Sequence, residues 1–422
     1  MNKSAKNEID VLIVGAGPTG LALAGYLAKA NSLAKNPVRL RIIDKSPNPS
    51  DKSKALAVHA GTLEAIEEVY GEPVSQKMVN TGIPASQFLF HIYDKEPISA
   101  DLTRIPSKYN FILVLEQYKT EMILEEELQR SHIQVEREQE LISLSSDDAP
   151  SNSVLCKIRN QKGKVEAVQA KFVVGCDGAH STVRQCAHIP FKGGTYPGEF
   201  ILGDVKVEWP WQHGVIHGFV SKKGAMACFP LKGEKRYGFI LFPDKQRPKG
   251  RETSETIPFD EFHEIASSLA PAPIKVLDPV WTTRFNIHHR IVRTFRKGRV
   301  FLAGDAAHIH SPVGGQGMNT GIQEAFNLGH KLSFVLQENL DESLSEILLE
   351  HYESERMPIA RNVLHATHLA SRLILLKENR IVKFLRSQVL PTIIGQPWIQ
   401  KRVLLATSEI GVSRRDMEKR KN

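Results

Sequence analysis

Gly15-Ala16-Gly17-Pro18-Thr19-Gly20 has the spacing G-x-G-x-x-G and follows the apolar run Val11-Leu12-Ile13-Val14. In such a turn the first glycine permits a tight reversal. The second lets a pyrophosphate approach the backbone, and the third lets the following helix pack closely on the strand. The helix N-terminus then offers unpaired N–H groups and the positive end of its dipole to phosphate. Asp44 lies 24 residues after Gly20 and ends a second apolar run. A carboxylate there can accept two hydroxyls of a ribose. A dinucleotide is the ligand this spacing implies, and the turn alone does not separate NAD from FAD.

A second constellation does. Gly304-Asp305-Ala306-Ala307-His308 follows the apolar run Val300–Ala303, and Ser311-Pro312-Val313-Gly314-Gly315-Gln316-Gly317-Met318-Asn319 then opens a helix. An aspartate at the end of a buried strand suits the hydroxyls of a polyol. The glycine loop presents backbone N–H groups to a second anionic spot. A flavin requires such a spot, because its N1–C2=O edge gains negative charge on reduction and a helix N-terminus stabilises it.

With Val174-Gly175-Cys176-Asp177-Gly178-Ala179-His180-Ser181-Thr182-Val183-Arg184 between these two motifs, the chain resembles the single-component FAD-dependent aromatic hydroxylases, typified by p-hydroxybenzoate hydroxylase and phenol hydroxylase. The three motifs occur in the family's order, and the resemblance covers about residues 10 to 370. It implies tightly bound FAD, with NADPH or NADH as a transient co-substrate. Gly15, Gly17, Pro18 and Gly20 would hold the pyrophosphate, and Asp44 with its neighbour Lys45 the adenosine ribose. Gln117 matches a family glutamine near the cofactor. Asp177 and its loop would serve the phosphates and NAD(P)H docking. Gly304 and Asp305 would bind the ribityl chain. Pro312, Gly314, Gly315 and Gly317 would line the isoalloxazine, with Met318 and Asn319 opening the helix behind it. One departure concerns Lys54-Ala55-Leu56, where the family often has arginine, and the family's further arginine near Gly61; lysine keeps the charge but loses the planar fork. The thioredoxin-like C-terminal domain of some relatives has no counterpart in this sequence.

The implied reaction passes a hydride from NAD(P)H to FAD. O₂ then forms a flavin C4a-hydroperoxide, whose outer oxygen hydroxylates a phenol-like or polycyclic aromatic ring. The protein must exclude water, orient the ring and favour the phenolate. The competing readings are an FAD-dependent reductase or dehydrogenase of a hydrophobic substrate, and a flavin-based redox-regulatory protein. A second nucleotide-binding cradle is absent from the sequence, which suits a nicotinamide nucleotide that only visits.

The elements that must position these residues follow from hydrophobic patterning. Asp10–Val14, a helix over Pro18–Ala30 and Val38–Asp44 form a βαβ unit, with Asn31–Pro37 longer than a tight connection needs. Helices are expected over Thr62–Tyr70 and Gln117–His132, and strands over Gln87–Tyr93, Glu140–Leu144, Val154–Arg159 and Val165–Val174. From about Phe191 to Thr283 strand patterns dominate (Phe200–Val207, Gly214–Val220, Ala225–Leu231, Arg236–Phe242 and Val276–Thr283), interrupted by a helical segment, Phe259–Leu269. They read as an antiparallel sheet with one wet face. The fold class is therefore α/β: a Rossmann-like FAD-binding domain assembled from 8–82, 106–190 and 285–370, an antiparallel substrate domain from 83–105 and 191–284, and C-terminal helices with a basic tail over 371–422. The substrate pocket should lie between the sheet and the flavin. His217, Phe219, Met226, Cys228, Phe229, Tyr237 and Phe239 are candidates for its wall, with ordinary packing the default role of each, and Tyr196 and His217 are the candidate phenol partners, with a structural role the default for both. No catalytic base is assigned.

Composition bounds the rest. The chain has 422 residues, a net charge of +8, 41% apolar and 24% charged residues, which fits two packed units and excludes a disordered chain. Acidic and basic residues alternate through most of it, with a basic run only at Arg414–Asn422, and no basic face with interleaved aromatics speaks for nucleic acid. Val11–Ala28 is nearly uncharged, but its glycines and proline make a strand, turn and helix rather than a signal peptide or membrane span. Cys156, Cys176, Cys186 and Cys228 form no C-x-x-C pair, which excludes a disulfide scaffold and points to the cytoplasm. His308-Ile309-His310 lacks the partners a metal would need, so no metal is expected. Trp209-Pro210-Trp211 matches only the start of a flavin-dependent halogenase motif. The leucines and isoleucines of 373–385 lie among Arg372, Lys377, Arg380, Lys383 and Arg386. Such a surface can touch an anionic membrane, and a helix packed on the FAD domain explains the same pattern. A monomer or homodimer acting on a small aromatic substrate and O₂ is expected.

Overall fold

The computed structural model describes residues 8–32, 34–51, 55–93, 95–145, 152–244, 256–338, 340–375, 384, 388–389, 392–393 and 396–412. In chain order its first elements are β1 (Glu8–Val14), α1 (Pro18–Asn31), β2 (Leu40–Ile43), β3 (Ala57–Val58), α2 (Ala60–Tyr70), α3 (Glu72–Thr81), β4 (Ile83–Ala85), β5 (Gln87–Ile92), β6 (Ile98–Asp101), β7 (Ile112–Val114) and α4 (Gln117–Arg130). Next come β8 (Gln139–Ser145), β9 (Val154–Asn160), β10 (Val165–Gly175), α5 (Thr182–Cys186), β11 (Phe191–Glu208), β12 (Ile216–Ser221), β13 (Gly224–Pro230), β14 (Arg236–Pro243) and α6 (Phe259–Leu269). The rest are β15 (Lys275–Val292), β16 (Arg296–Lys297), β17 (Val300–Leu302), β18 (His308–Ile309), α7 (Gly317–Gln337), α8 (Glu342–Leu375) and α9 (Pro397–Ser408).

A seven-stranded sheet runs β16-β17-β10-β1-β2, with β9 and β8 continuing from the first half of β10. Strands β2, β1, β10 and β17 are parallel to one another, so their C-terminal ends share one edge. The continuous apolar sequence of β1 explains its place in the middle. Val11, Leu12 and Ile13 are fully buried, as a strand covered on both faces requires. Helices α1 and α7 pack so closely that a Cβ on Gly321 would lie 2.4 Å from Thr19 Oγ1, and one on Gly329 would strike the Tyr26 ring. The connection after α1 is closed by one side chain: Asn31 donates to Val38 O at 2.8 Å and accepts from Val38 N at 2.7 Å.

A second sheet of eight strands runs β18-β15-β11-β14-β13-β12-β5-β6. It is antiparallel except between β5 and β12, which pair in parallel, a departure from the all-antiparallel expectation. That parallel pair arises because β5 enters the sheet from far earlier in the chain. Strands β11 and β15 are each 18 residues long, well beyond the segments expected from alternation, and their register shifts between Thr195 and Glu199 break the period that would have revealed them. Helix α6 covers one face; a Cβ on Gly203 would lie 2.4 Å from Phe262 Cζ, so the glycine admits the ring. Helix α3 and the small sheet β3-β7-β4 were not expected from the sequence. Arg236 on β14 links this sheet to the start of α4. Its guanidinium donates to both Asp204 oxygens and, at 3.1 Å, to Glu116 Oε1, and both carboxylates are nearly inaccessible. Among the described residues, no helix is long and apolar enough to cross a membrane.

Candidate functional site

The first glycine turn leaves the end of β1. Gly15 has φ +103°, and a Cβ there would lie 2.4 Å from Cys176 O, so only glycine fits. A Cβ on Gly20 would lie 1.9 Å from Gly15 O, which locks α1 onto the turn. Gly17 differs: its Cβ would meet nothing within 4 Å. The turn therefore packs on both sides of an open notch. Pro18 begins α1, no side chain caps its N-terminus, and no acid sits in its first turn. The positive end of the helix is left to an external anion.

Asp44 stands beside the notch. One carboxylate oxygen accepts from Ala16 N at 2.7 Å and the other from Ser46 N at 2.8 Å, which fixes the carboxylate while each oxygen retains acceptor capacity. Lys45 is exposed beside it. Gln117, the first residue of α4, donates to Glu121 Oε1 at 2.8 Å. Burial pushes the Glu121 carboxyl up to about 7, and the Asp44 and Glu125 charges act in the same direction. Glu121 is not among the residues expected from sequence, because nothing in an amphipathic helix marks one buried glutamate beside the half-buried Glu125, Glu126 and Glu127.

The other two motifs leave the same sheet edge. Cys176 N donates to Val14 O at 2.8 Å, and Ala303 N to Gly175 O at 3.0 Å, so the three loops are laced side by side. A Cβ on Gly304 would lie 2.6 Å from Thr19 Oγ1, placing the third motif against the first turn of α1. Asp305 projects to the exposed side. Asp177 turns inward: its Oδ2 accepts from Thr182 N at 2.7 Å and Val183 N at 3.1 Å, starting α5. Arg184 then ties the second motif to the third through Ala179 O and Ala306 O, at 2.8 and 2.9 Å.

Two buried groups hold the loop ahead of α7. Glu324 accepts from Gly304 N at 2.8 Å and pairs with His308 Nε2 at 2.7 Å. Burial works against charge on both, but their mutual attraction outweighs it, raising His308 and lowering Glu324. Asn319 donates to Ala57 O and Gly315 O at 2.9 and 2.7 Å and accepts from His59 N at 2.8 Å. Burial pushes His59 down to about 4, so the ring is neutral and its Nε2–H can donate to Gly314 O, 2.9 Å away. A Cβ on Gly315 would lie 2.9 Å from that of Ala57. Pro312 is half-buried, Gly314 is exposed, and Gly317 and Met318 begin α7 with no acid in the first turn. Among the described residues no cluster of three or more potential metal ligands occurs. Lys54 lies outside the described residues, as does the basic run 414–422.

The chain returns to this loop at its far end. A Cβ on Gly61 would lie 2.6 Å from the Glu409 carbonyl carbon, and the Glu409 carboxyl accepts from Thr320 Oγ1 at 3.1 Å and Gln323 Nε2 at 2.6 Å. Burial pushes Glu409 up to about 8 from 4.5, against the pull of Arg356 and with the repulsion of Glu324. The folded protein thus keeps a proton that the unfolded chain loses. Stability from this group is complete below about 4.5 and falls as pH rises toward about 8, by up to about 1.4 kcal/mol per pH unit. Glu409→Gln is expected to flatten that slope and to be the more stable protein above pH ~8, as read by urea unfolding across the range. Equal slopes in the two proteins would refute the assignment.

The eight-stranded sheet turns its two faces to different neighbours. Phe219, Met226, Cys228, Tyr237 and Phe239 pack with Phe262 of α6, and His217 joins them through Trp209, Trp211 and His91. These candidates for a pocket wall belong to the face covered by α6. The other face carries Tyr196, Phe200, Ile240, Phe242, Phe229 and Phe285, and Val313 of the glycine loop packs against it. Of the two candidate phenol partners, Tyr196 is therefore on the loop side. Its hydroxyl lies 3.0 Å from His368 Nδ1 on α8, and its ring lies tilted at 50° to that of His289, with centroids 4.8 Å apart.

The model of the FAD binding domain family matches residues 8–367. The chain belongs to that family. Within this FAD-binding family it is 34% identical over 376 residues to 6-methylpretetramide 4-monooxygenase of Streptomyces rimosus, covering 87% of this chain and 62% of the relative. It is 31% identical over 373 residues to pentachlorophenol 4-monooxygenase of Sphingobium chlorophenolicum, covering 86% of this chain and 65% of that one. The chain thus spans just under two thirds of the length of these two relatives. Among solved structures it is similar to CabE, an aromatic hydroxylase from angucycline biosynthesis, with a TM-score of 0.76, 27% identity, and coverage of 96% of this chain and 76% of that one. The notch at Gly17 is open space that a side chain would fill, and the uncapped start of α1 beside it is chemically suited to the phosphates of an FAD.

Proposed function

We propose that the chain is an FAD-dependent monooxygenase that uses NAD(P)H and O₂ to hydroxylate a phenol-like or polycyclic aromatic ring. The observation that carries this reading is the convergence of two glycine turns, at Gly17 and Gly304, on the first turn of α1, while the second loop faces an aromatic sheet through Val313. The parallel sheet with α1 and α7 serves as a Rossmann-like unit drawn from 8–82, 106–190 and 285–370, and the eight-stranded sheet as the substrate unit, drawn mainly from 83–105 and 191–284 with β15 running on to Val292 and β18 added from His308–Ile309. The substrates named for the two relatives, a chlorinated phenol and a pretetramide, support a ring of either size.

Bound FAD supplies hydride acceptance from NAD(P)H and the activation of O₂. The chain's own residues supply the rest. The α1 N-terminus and Gly17 hold the pyrophosphate, Asp44 the adenosine ribose, and Asp305 the ribityl hydroxyls. Gln117 keeps Glu121 in place beside Asp44. The Pro312–Gly317 backbone and the uncapped start of α7 favour negative charge at the reacting end. Tyr196 and His368 form a polar spot on an otherwise apolar wall, suited to orienting a ring hydroxyl, and the aromatic face excludes water.

The test is NAD(P)H oxidation with and without a panel of phenols and polycyclic phenols, in ¹⁸O₂. An effective ring should accelerate oxidation about tenfold or more and carry one heavy oxygen into the product, the other leaving as water. A ring that is turned over without gaining oxygen makes the chain a dehydrogenase instead.

A further inference from the structure

The charge of this chain is unevenly divided. Residues 361–422 hold 13 Lys and Arg against 4 Asp and Glu, a surplus of nine, so the first 360 residues are near neutral and the whole net charge of +8 belongs to the C-terminal stretch. The alternation seen along most of the sequence ends there. Several large apolar residues in the described parts of this stretch face outward. Near the end of α8, Thr367 and Ser371 are buried, their hydroxyls bonded to Val363 O and Thr367 O at 2.8 and 2.7 Å. Leu369 and Leu373 on the same helix are 63% and 40% exposed, with Arg372 exposed between them. Helix α9 repeats the arrangement. Leu404 and Ser408 point inward, while Trp398, Lys401, Arg402 and Leu405 fall at i, i+3, i+4 and i+7 on one exposed face. Trp398 is 61% exposed.

Helices that bury hydroxyls and present leucine, tryptophan and cations outward are suited to a medium other than water. We infer that the outer faces of α9 and the end of α8 are a docking surface for a bilayer rich in anionic lipid. The chemistry is complementary on both counts. Tryptophan and leucine enter the boundary between headgroups and acyl chains, and lysine and arginine meet the negative surface. A second copy of the chain is a poor occupant, because two faces with this surplus of like charge repel each other. The α8 part of this surface adjoins the aromatic side of the substrate sheet, since Leu369 follows His368, the hydrogen-bond partner of Tyr196. The inference does not rest on the monooxygenase reading, because membrane binding needs no turnover.

The test uses the full chain loaded with FAD, in flotation with vesicles of phosphatidylcholine and phosphatidylglycerol, and with phosphatidylcholine alone, at low and high salt. The chain should float with the mixed vesicles, stay behind with the neutral ones, and be released by salt. The variant K401E/R402E should bind about tenfold or more weakly. Trp398→Ser should lose binding to a similar degree at unchanged flavin absorbance, which certifies its fold. Failure to float with anionic vesicles, flotation indifferent to both variants, or a salt-resistant dimer that Trp398→Ser dissociates would each overturn the proposal.

Discussion

Gly17→Val is expected to fold normally and to come off a column colourless. Gly17 has φ −76° and ψ −176°, an extended conformation that valine adopts without strain, and the added Cβ would touch nothing in the protein. Stability should stay within about 0.5 kcal/mol of wild type. The side chain occupies the notch through which a pyrophosphate would reach the α1 N–H groups. Losing two hydrogen bonds to a charged phosphate, at about 1.5–3 kcal/mol each, weakens FAD by about 100-fold or more. Gly20→Ala provides the contrast. Its Cβ would lie 1.9 Å from Gly15 O, so that variant should lose the fold together with the flavin. Thermal unfolding and an FAD titration on both variants read the two effects separately. A yellow Gly17→Val protein would remove the notch from the binding site.

Glu324→Leu is expected to have the largest effect on stability. Glu324 is fully buried, and its two oxygens serve two clients, the Gly304 amide and the His308 ring. Leucine leaves both without their partner in a place that water does not reach. Breaking a buried pair in this way costs about 3–5 kcal/mol, and Gly304 would lose the bond that seats it on Thr19. Glu324→Gln keeps an acceptor for Gly304 and should fall between the two. Denaturant unfolding at neutral pH checks the order. A Glu324→Leu protein within about 1 kcal/mol of wild type would show that the pair carries little of the loop's stability.

Much of this site is legible in the amino-acid sequence, for a physical reason. A phosphate turn is local: Gly15, Gly17, Gly20 and the strand preceding them are contiguous, and the strand's apolar run declares its burial. Asp44 ends the next strand of the same βαβ unit, so its position follows from the connection. Other residues reach the site only through packing. Glu409 meets Thr320 across 89 residues, and His59 bonds the backbone of Gly314 across 255; neither has a local pattern that announces it. Alternation separates the two faces of the eight-stranded sheet but says nothing of which one α6 covers. That choice is made by Phe262 fitting over Gly203, and it puts His217 on the face away from the Pro312–Gly317 loop and leaves Tyr196 on the face that Val313 packs against. The long strands β11 and β15 hid behind their own irregularities, where glycines and a register shift interrupt the period.

The central claim is that two distant glycine turns hold opposite ends of one FAD. The most direct test is the absorption spectrum of the purified chain incubated with FAD, followed by release and identification of what it retained. The account predicts a flavin band, one FAD per chain, and loss of that band in Gly17→Val and in Asp305→Ala. A wild-type chain that stays colourless with excess FAD, or that keeps FMN in its place, would contradict it.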